Sequence, residues 1–458
     1  MCPYPYSRSV FSIFGSLFPI SKEFSSPMPH APQTNGSPDV SLAVSAAAWH
    51  TELHGCAPTW QADAPATWSL IGEHVDHAGG VVLMSLAAQR AAVAVSARED
   101  QQFVVNFRRC WLTDGSTTQA STTMDKVAEL YSQQQPGIDE SGKPTTPPLP
   151  RGGLAERLGG IVWMMVQRQL LSRETNGMNI TVLSEITPDS GLGEYAAIDS
   201  ALALALQAET ADIDEAPLRA RLAEICGQAG EVFSSTATLR ARYSTALRGA
   251  AAQISVLDYA DGSLTKAVHP VTRELAAFAV TVPQDAESPD QSDEIRSRHR
   301  FVESAQHAFG AQSLRLLPDA PARVTQWLSA VHKVHGTDGV PELHESRTWL
   351  DFHEAETERA QQFAHALRSQ RSRDIWPLLH SSQQALQDDY TLDAAMELAQ
   401  LCQVRGAIAA RAAAAGTSKA VIAYVDKKKA DNFAHDLSAD GLVVTRLLPG
   451  EVAKIVSE

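Results

Sequence analysis

The chain has 458 residues, 44% of them hydrophobic and 20% charged, a composition typical of a soluble globular protein with a sizeable core. Its net charge of −15 disfavours a nucleic-acid partner, and no apolar run reaches the length of about eighteen residues that a membrane span needs. The five cysteines are widely spaced without a CxxC pair, which indicates reduced thiols and a cytoplasmic location.

The first forty residues are predicted to be a disordered tail. A semi-apolar stretch, SVFSIFGSLFPI, resembles a weak signal peptide, but serines and Pro19 interrupt it. A linker rich in Ser, Pro, Asn and Gly follows from Ser25 to Val40. Export and a true translation start at Met28 remain alternatives, and the ordered protein is expected to begin near Ser41.

Strand and helix patterns then follow one another in irregular order. Strands are predicted at VVLMSL, AAVAVSA, QFVVNF, NITVLS, AQISVLD, LAAFAVTV, KAVIAYV and LVVTRLL. Helical periodicity marks GLAERLGGIVWMMVQRQLL, AAIDSALALALQAE and a long segment from Glu294. Polar stretches at 134–150 and 283–293 are expected on the surface. The order favours an α+β protein over a regular βαβ repeat.

The most informative segment is Ala64 to Leu83, APATWSLIGEHVDHAGGVVL. Its acidic and imidazole groups, Glu73, His74 and Asp76, could exchange several charge-assisted hydrogen bonds with a polyol. Taken alone, the same residues would more simply flank a turn. The whole run, however, resembles the galactokinase signature APGRxNLIGEHxDYNxGxVL, and the resemblance implies that these three residues contact a sugar. Two positions depart from it: the family arginine is Thr67 and the family tyrosine is His77.

A second segment, ITPDSGLGEYAAIDSA, resembles the phosphate-binding motif VPxGxGLSSSAALEVA of the same family. The resemblance implies nucleotide contacts at Gly191 and Gly193, and Asp199 falls where the family has its Mg²⁺-binding glutamate; a helix-surface acid is the alternative. Glu194 replaces a serine, and its charge about 4 Å from a phosphate would cost about 4 kcal/mol. Impaired ATP binding is therefore predicted.

A third segment, RAAAAGTSKAVIAYV, resembles the C-terminal family motif RMTGGGFGGCxVALV. Arg411 and Gly416 match, and Gly416 is therefore a further candidate nucleotide contact, but alanines replace most of the glycines. By composition alone, an alanine-rich helix end followed by a strand would account for the segment.

The catalytic aspartate of the family has no acidic counterpart here. Counting back without gaps from Asp258, at the end of the strand AQISVLD, places Arg242 at that position. Arginine cannot act as a base, because its pKa exceeds about 12. The family's sugar-contacting tyrosine is also lost, with Ile295 or a neighbour in its place.

The resemblance implies a two-domain GHMP kinase fold. Residues 41–215 would form an N-terminal α+β domain and residues 216–458 a C-terminal ferredoxin-like domain, with a cleft between them. Two functions stay open. One is a non-catalytic sugar-binding or regulatory protein, for which galactose is the expected monosaccharide and a protein partner is possible. The other is an active galactokinase that uses ATP and Mg²⁺ to phosphorylate the anomeric hydroxyl.

Overall fold

The computed structural model describes residues 41–456 apart from 111–115, 136, 139–143, 146, 272–273, 284–288 and 338. The predicted tail at 1–40 lies outside the described residues, as does the middle of the polar stretch at 283–293. The first described element is a helix that begins at Leu42, and the Ser41 hydroxyl caps it by accepting a hydrogen bond from the amide of Val44.

The strands alternate with helices irregularly, as predicted. In the described part of the chain they are β1 (Trp60–Ile71), β2 (Val81–Ala97), β3 (Gln102–Arg109), β4 (Thr118–Thr123), β5 (Gly137–Ile138), β6 (Pro144–Thr145), β7 (Met178–Ser184), β8 (Gln253–Asp258), β9 (Ser263–Val268), β10 (Leu275–Thr281), β11 (Ala409–Ala412), β12 (Val421–Asp426), β13 (Val443–Leu447) and β14 (Lys454–Ile455).

The α-helices of the same part of the chain are α1 (Leu42–His54), α2 (Met124–Gln133), α3 (Leu154–Gln167), α4 (Glu194–Ala205), α5 (Ala216–Phe233), α6 (Arg240–Arg248), α7 (Ser292–Phe309), α8 (Ala320–His335), α9 (Leu343–Arg368), α10 (Ile375–Asp388), α11 (Met396–Val404) and α12 (Ala430–Ala439). None of these helices is both long and apolar enough to cross a bilayer.

A large sheet forms the first layer, in the order β14-β1-β2-β7-β3-β4, with β8 and β9 joined to β2. Its pairs are antiparallel except β3 with β7. The long strand β2 pairs with β8 through its first residues and with β7 through its last. The two predicted strands VVLMSL and AAVAVSA are therefore one continuous strand.

Both faces of β2 are covered, which explains its almost unbroken apolar sequence. Because successive side chains alternate between the faces of a strand, Val93 and Val95 point to the main core, where α3, α4 and α5 also pack. Ala92 and Ala94 point to the opposite face and pack on α1 through Trp49. A strand buried on both faces is expected to lack alternation with polar residues.

A second, antiparallel sheet has the order β11-β12-β10-β13. By chain position this is second, third, first and fourth, with helices between the first and second strands and between the third and fourth. That is the ferredoxin-like layering predicted for the C-terminal half. One face of β10, including Phe278, packs with Phe433 of α12, and the other contributes Ala277 and Ala279 to the main core.

The α+β fold class is thus confirmed. The division of the chain at residue 216 stays a prediction, since β8, β9 and β14 all follow that position yet pair within the large sheet. The alternative of a helix end for the alanine-rich segment before Gly416 is wrong. Ala409 to Ala412 form the strand β11, because their backbone pairs with β12, and residues 413–415 form the bend and turn that follow. Sheet pairing overrides the helical preference of alanine.

Candidate functional site

The signature segment forms the end of β1 and the loop that leads into β2. Gly72 begins this loop with φ of 86°, and a Cβ atom there would lie 2.1 Å from the Val81 carbonyl oxygen, so only glycine fits. Its amide donates a 2.9 Å hydrogen bond to the Glu356 carboxylate of α9. The start of the loop is therefore anchored to α9, which comes much later in the chain.

Glu73 is buried and fully engaged by the protein. Its Oε2 accepts from Nη1 of Arg411 at 3.1 Å, and its Oε1 accepts from the amide of Ala415 at 3.2 Å. Arg411 also lies 3.5 Å from Glu356, whose carboxylate is completely buried. The three side chains form a buried network between the signature loop, α9 and β11. Glu356 is not predicted from the sequence, because it lies in a helix that matches none of the three motifs.

His74 adopts a left-handed backbone with φ of 67°, which is uncommon for a residue with a side chain. Its Nε2 lies 3.3 Å from the Ala415 carbonyl oxygen, a contact that places the ring proton on Nε2. Nδ1 is buried and has no hydrogen-bond partner within the part of the chain that the structure describes. Burial lowers the pKa of His74 below its usual value although Glu73 and Asp76 act in the opposite direction, so the ring is neutral.

Asp76 faces a different group of side chains. Its Oδ2 accepts from the amide of Arg240 at 3.2 Å and lies 3.5 Å from that residue's Nε, while Oδ1 accepts from the amide of His77. Burial acts to raise the pKa of Asp76, but His77 and Arg240 outweigh it, and the pKa lies below its ordinary value. Asp76 is therefore a buried, charged acceptor.

The second motif forms a loop that leads into α4. Gly191 and Gly193 both have positive φ, 66° and 72°, and Gly193 is the N-cap of the helix. Several loop carbonyls are used within the protein: that of Leu192 accepts from the amide of Thr67 at 2.9 Å, and that of Asp189 accepts from the hydroxyl of Ser418. The loop thus touches both other motifs.

Glu194 does not present a free charge to this loop. Its carboxylate accepts hydrogen bonds from Nε and Nη2 of Arg109 at 3.0 and 2.6 Å, and from the Ser184 hydroxyl at 2.7 Å. The calculated repulsion of about 4 kcal/mol assumed an unpaired carboxylate. Pairing with Arg109 removes most of that repulsion. Glu194 therefore disfavours ATP binding less than its sequence position indicates.

Arg242 lies on α6, where its guanidinium joins all three motifs. Nη1 donates to the Thr67 carbonyl at 2.7 Å and lies 3.2 Å from its hydroxyl, and Nη2 donates to the carbonyl oxygens of Gly191 and Ala413 at 2.7 and 3.2 Å. Burial lowers the pKa of Arg242 from its ordinary value, against the effect of Glu73. Thr67 and Arg242, the residues predicted at the positions of the family arginine and aspartate, are thus in direct contact.

Asp199, the predicted Mg²⁺ ligand, is completely buried on α4. Nε of Arg157 donates to both of its carboxylate oxygens, at 3.0 and 2.8 Å, and the Tyr243 hydroxyl donates to Oδ2 at 3.0 Å. Burial raises the pKa of Asp199, although Arg157 acts in the opposite direction. The guanidinium of Arg157 thus contacts the carboxylate oxygens to which a metal ion would bind, and these residues as arranged do not fit Mg²⁺.

Gly416 lies in the turn between β11 and β12, with φ of 78°. Its amide donates to the Asp393 carbonyl, and its own carbonyl accepts from the amide of Gln291, both at 2.8 Å. Ile295, at the expected position of the sugar-contacting tyrosine, is buried near this turn, with its Cδ1 at 3.3 Å from where a Gly416 Cβ would lie. The structure therefore brings the three motifs together, whereas Asp199 is bonded to Arg157 and Tyr243.

The chain is similar to known proteins in one sequence signature and in its fold. Residues 48–97 match the galactokinase galactose-binding signature. Galactokinase of Lactococcus lactis, solved in complex with galactose, superposes with a TM-score of 0.65 at 16% sequence identity, covering 90% of this chain and 98% of that one. Mevalonate kinase of Methanococcus jannaschii gives 0.51 at 10% identity, with 87% and 98% covered. No curated protein matches the sequence significantly. The chain therefore carries the galactokinase galactose-binding signature at residues 48–97 and shares the fold of these two kinases.

Proposed function

We propose that this chain is a non-catalytic member of the family that binds a monosaccharide, with galactose as the expected ligand. The observation that carries the proposal is the environment of Arg242. Its guanidinium is held by the carbonyls of Thr67, Gly191 and Ala413, at the position where the family has its catalytic aspartate. A guanidinium bonded in this way cannot accept the proton of a sugar hydroxyl.

Two other acidic residues could be considered as replacements, and both are paired. Asp199 is bonded to Arg157, and Asp258 accepts a 2.6 Å hydrogen bond from Arg315. Recruiting either carboxylate as a base would require breaking an ion pair. These ion pairs support the proposal that the chain has lost phosphoryl transfer and no longer uses ATP and Mg²⁺.

The signature at residues 48–97 supports sugar binding. Glu73 and His74 are used mainly to hold Ala415, so Asp76 is the acid of the three that we assign to the sugar. As a buried ionised carboxylate it forms strong hydrogen bonds to hydroxyl groups. A regulatory role would add a protein partner, and the cell compartment proposed remains the cytoplasm.

Calorimetry with galactose and with Mg-ATP, followed by a coupled assay of ADP release, tests the proposal. We expect heat from galactose, none from the nucleotide, and no galactose-dependent ADP release. Asp76→Asn should abolish the galactose signal, whereas the matched change Asp261→Asn, in an exposed turn, should leave it unaltered. Galactose-dependent ADP release would overturn the assignment as non-catalytic. Absence of galactose binding by the unaltered protein would overturn the sugar assignment.

An active galactokinase is the second candidate, and one observation favours it. Because Arg109 neutralises Glu194, the phosphate-binding loop does not carry the unpaired negative charge expected from its sequence. If turnover is found, Asp199→Asn and Asp258→Asn would show which carboxylate serves the reaction, since the variant that loses ADP release identifies it.

A further inference from the structure

A cluster of three buried side chains lies beside the signature loop. Asp76 and His77 belong to the loop, and His299 belongs to α7. One potential ligand atom from each residue lies within 4.8 Å of the other two. The exposed fractions are only 2%, 7% and 4%, so the cluster is closed off from bulk water.

Several ring nitrogens in this cluster have no hydrogen-bond partner among the described residues. They are Nε2 of His77 and both Nδ1 and Nε2 of His299, and all three are buried. An unsatisfied buried polar atom destabilises the fold, so three of them in one cluster point to a missing ligand.

His77 is already oriented as a metal ligand would be. Its Nδ1 lies 3.4 Å from the carboxylate of Glu303, which keeps the ring proton on Nδ1. The lone pair is then on Nε2, the buried atom without a partner. A carboxylate that holds a histidine from behind in this way is the usual outer partner of a metal-bound imidazole.

Asp76 supplies the oxygen. Its Oδ2 is taken by Arg240, but Oδ1 accepts only the amide of His77 among the hydrogen bonds of the described residues and retains a free lone pair. The positive charge of Arg240 opposes a second cation, and the carboxylates of Asp76 and Glu303 offset it. Two imidazole nitrogens and one carboxylate oxygen are the donors preferred by Zn²⁺ and similar first-row ions, whereas Mg²⁺ prefers oxygen alone.

We propose that Asp76, His77 and His299 bind one divalent transition-metal ion of the Zn²⁺ class. In the structure the two imidazoles stack, with ring centroids 3.6 Å apart and planes inclined by 16°. Tetrahedral coordination at about 2.1 Å brings ligand atoms to about 3.4 Å from one another, so the rings must tilt and the cluster must contract by roughly an ångström. Three protein ligands leave one coordination position for water or another small ligand.

The test uses the full chain without a histidine tag, stripped with a chelator and with exposed thiols alkylated. Zn²⁺ is titrated by calorimetry, and bound metal is counted by elemental analysis after dialysis. We expect one Zn²⁺ per chain that the His299→Gln variant does not retain, with affinity reduced by about 100-fold or more. His50→Gln is the matched control, since it also removes a buried imidazole. His50 lies in α1 and is hydrogen-bonded to Thr181 and Ser96.

Glu303→Gln keeps the experiment decisive if His299→Gln fails to fold. The Glu303 side chain is 60% exposed, so the fold should tolerate the change, and the loss of its carboxylate should weaken Zn²⁺ binding about 10-fold. Failure of the unaltered protein to bind Zn²⁺, or wild-type affinity in both variants, would overturn the proposal. Zn²⁺ binding and galactose binding are measured separately, so the failure of one proposal is distinguished from the failure of the other although both use Asp76.

Discussion

At the scale of single residues, Arg242 combines a functional and a structural consequence. It places a guanidinium where a carboxylate is expected, and the guanidinium donates hydrogen bonds to three backbone carbonyls. Gly193 accommodates it closely, since a Cβ there would lie 2.6 Å from the Arg242 Cδ. The side chain has become part of the packing that joins the motifs.

We expect Arg242→Met to destabilise the protein by about 3 kcal/mol, because the carbonyls of Thr67, Gly191 and Ala413 lose their donor. Urea unfolding monitored by tryptophan fluorescence measures the change. Arg248→Met, at the half-buried end of the same helix, is the matched control and should cost below about 0.5 kcal/mol. Equal effects of the two changes would show that the three carbonyl contacts contribute nothing.

His269 makes stability sensitive to acid. It is buried, its Nδ1 accepts from the amide of Val271 at 3.0 Å, and its Nε2 therefore carries the proton toward the hydroxyl of Ser85 at 2.7 Å. Burial lowers its pKa from 6.5 to about 4. The unfolded chain takes up a proton first as the pH falls, so this histidine's contribution to stability is present above pH 6.5 and declines from there toward pH 4.

The expected loss from His269 is about 3 kcal/mol across that interval. It is measured as the difference in unfolding free energy between the wild type and His269→Gln, followed from neutral to acidic pH. The difference should shrink as the pH falls, because the glutamine does not titrate. His307→Gln, at an exposed position of α7, should run parallel to the wild type, and a pH-independent difference for His269→Gln would contradict the expectation.

At the scale of elements, the network of Glu73, Arg411 and Glu356 ties the loop after β1 to α9 and β11. Arg411 is 1% exposed, and both acids are buried, so the ion pairs are not screened by water. Ser382 of α10 adds a 2.9 Å contact to Nε of Arg411. The signature loop is thus positioned by elements more than 280 residues away, as the separation of 284 residues between Gly72 and Glu356 shows.

Arg411→Met should cost about 3–5 kcal/mol, because it leaves Glu73 and Glu356 as buried carboxylates without this partner. Arg405→Met is the matched control, since Arg405 forms a partly exposed ion pair with Asp440 and should contribute below about 1 kcal/mol. Chemical unfolding of the two variants provides the comparison. A cost for Arg411→Met no larger than that of the control would show that the buried network does not stabilise the fold.

Local patterns predicted many of these elements because their side chains face a core. QFVVNF, NITVLS and AQISVLD all lie in strands of the large sheet, and α3 and α4 follow the predicted helical periodicity. The helix end that composition allowed before Gly416 is wrong, since alanine favours helix locally and only pairing with β12 makes Ala409 to Ala412 a strand. Glu356, Arg240 and His299 have no motif, so their place at the site depended on distant packing.

At the scale of the whole molecule, the last described strand, β14, pairs with the first, β1. β14 pairs with β1 through Ala62 with Ile455 and Asp63 with Lys454. Nη1 of Arg219 donates to the Ala453 carbonyl at 2.7 Å, and Nη1 of Arg90 donates to that of Glu451 at 2.9 Å. The C-terminal strand covers the edge of β1, the strand that leads into the signature loop.

Removal of residues 450–458 should destabilise the protein by about 3 kcal/mol or more, because two arginines lose carbonyl acceptors and the edge of β1 is exposed. A lower thermal midpoint and faster trypsin cleavage are the expected results. The chain lacking only residues 457–458 is the control and should match the full chain. An unchanged midpoint after the longer deletion would mean that the strand adds little to the large sheet.

The amino-acid sequence by itself determined the fold class and the galactose-binding signature, because a signature of contiguous residues and the periodicity of strands and helices are local properties. It also predicted Arg242 at the position of the family's acid. Only the tertiary structure decided what the charges do, since an ion pair depends on which distant side chain lies opposite. Arg109 neutralises Glu194, Arg157 takes Asp199, and His299 reaches Asp76, and sequence order does not specify these contacts.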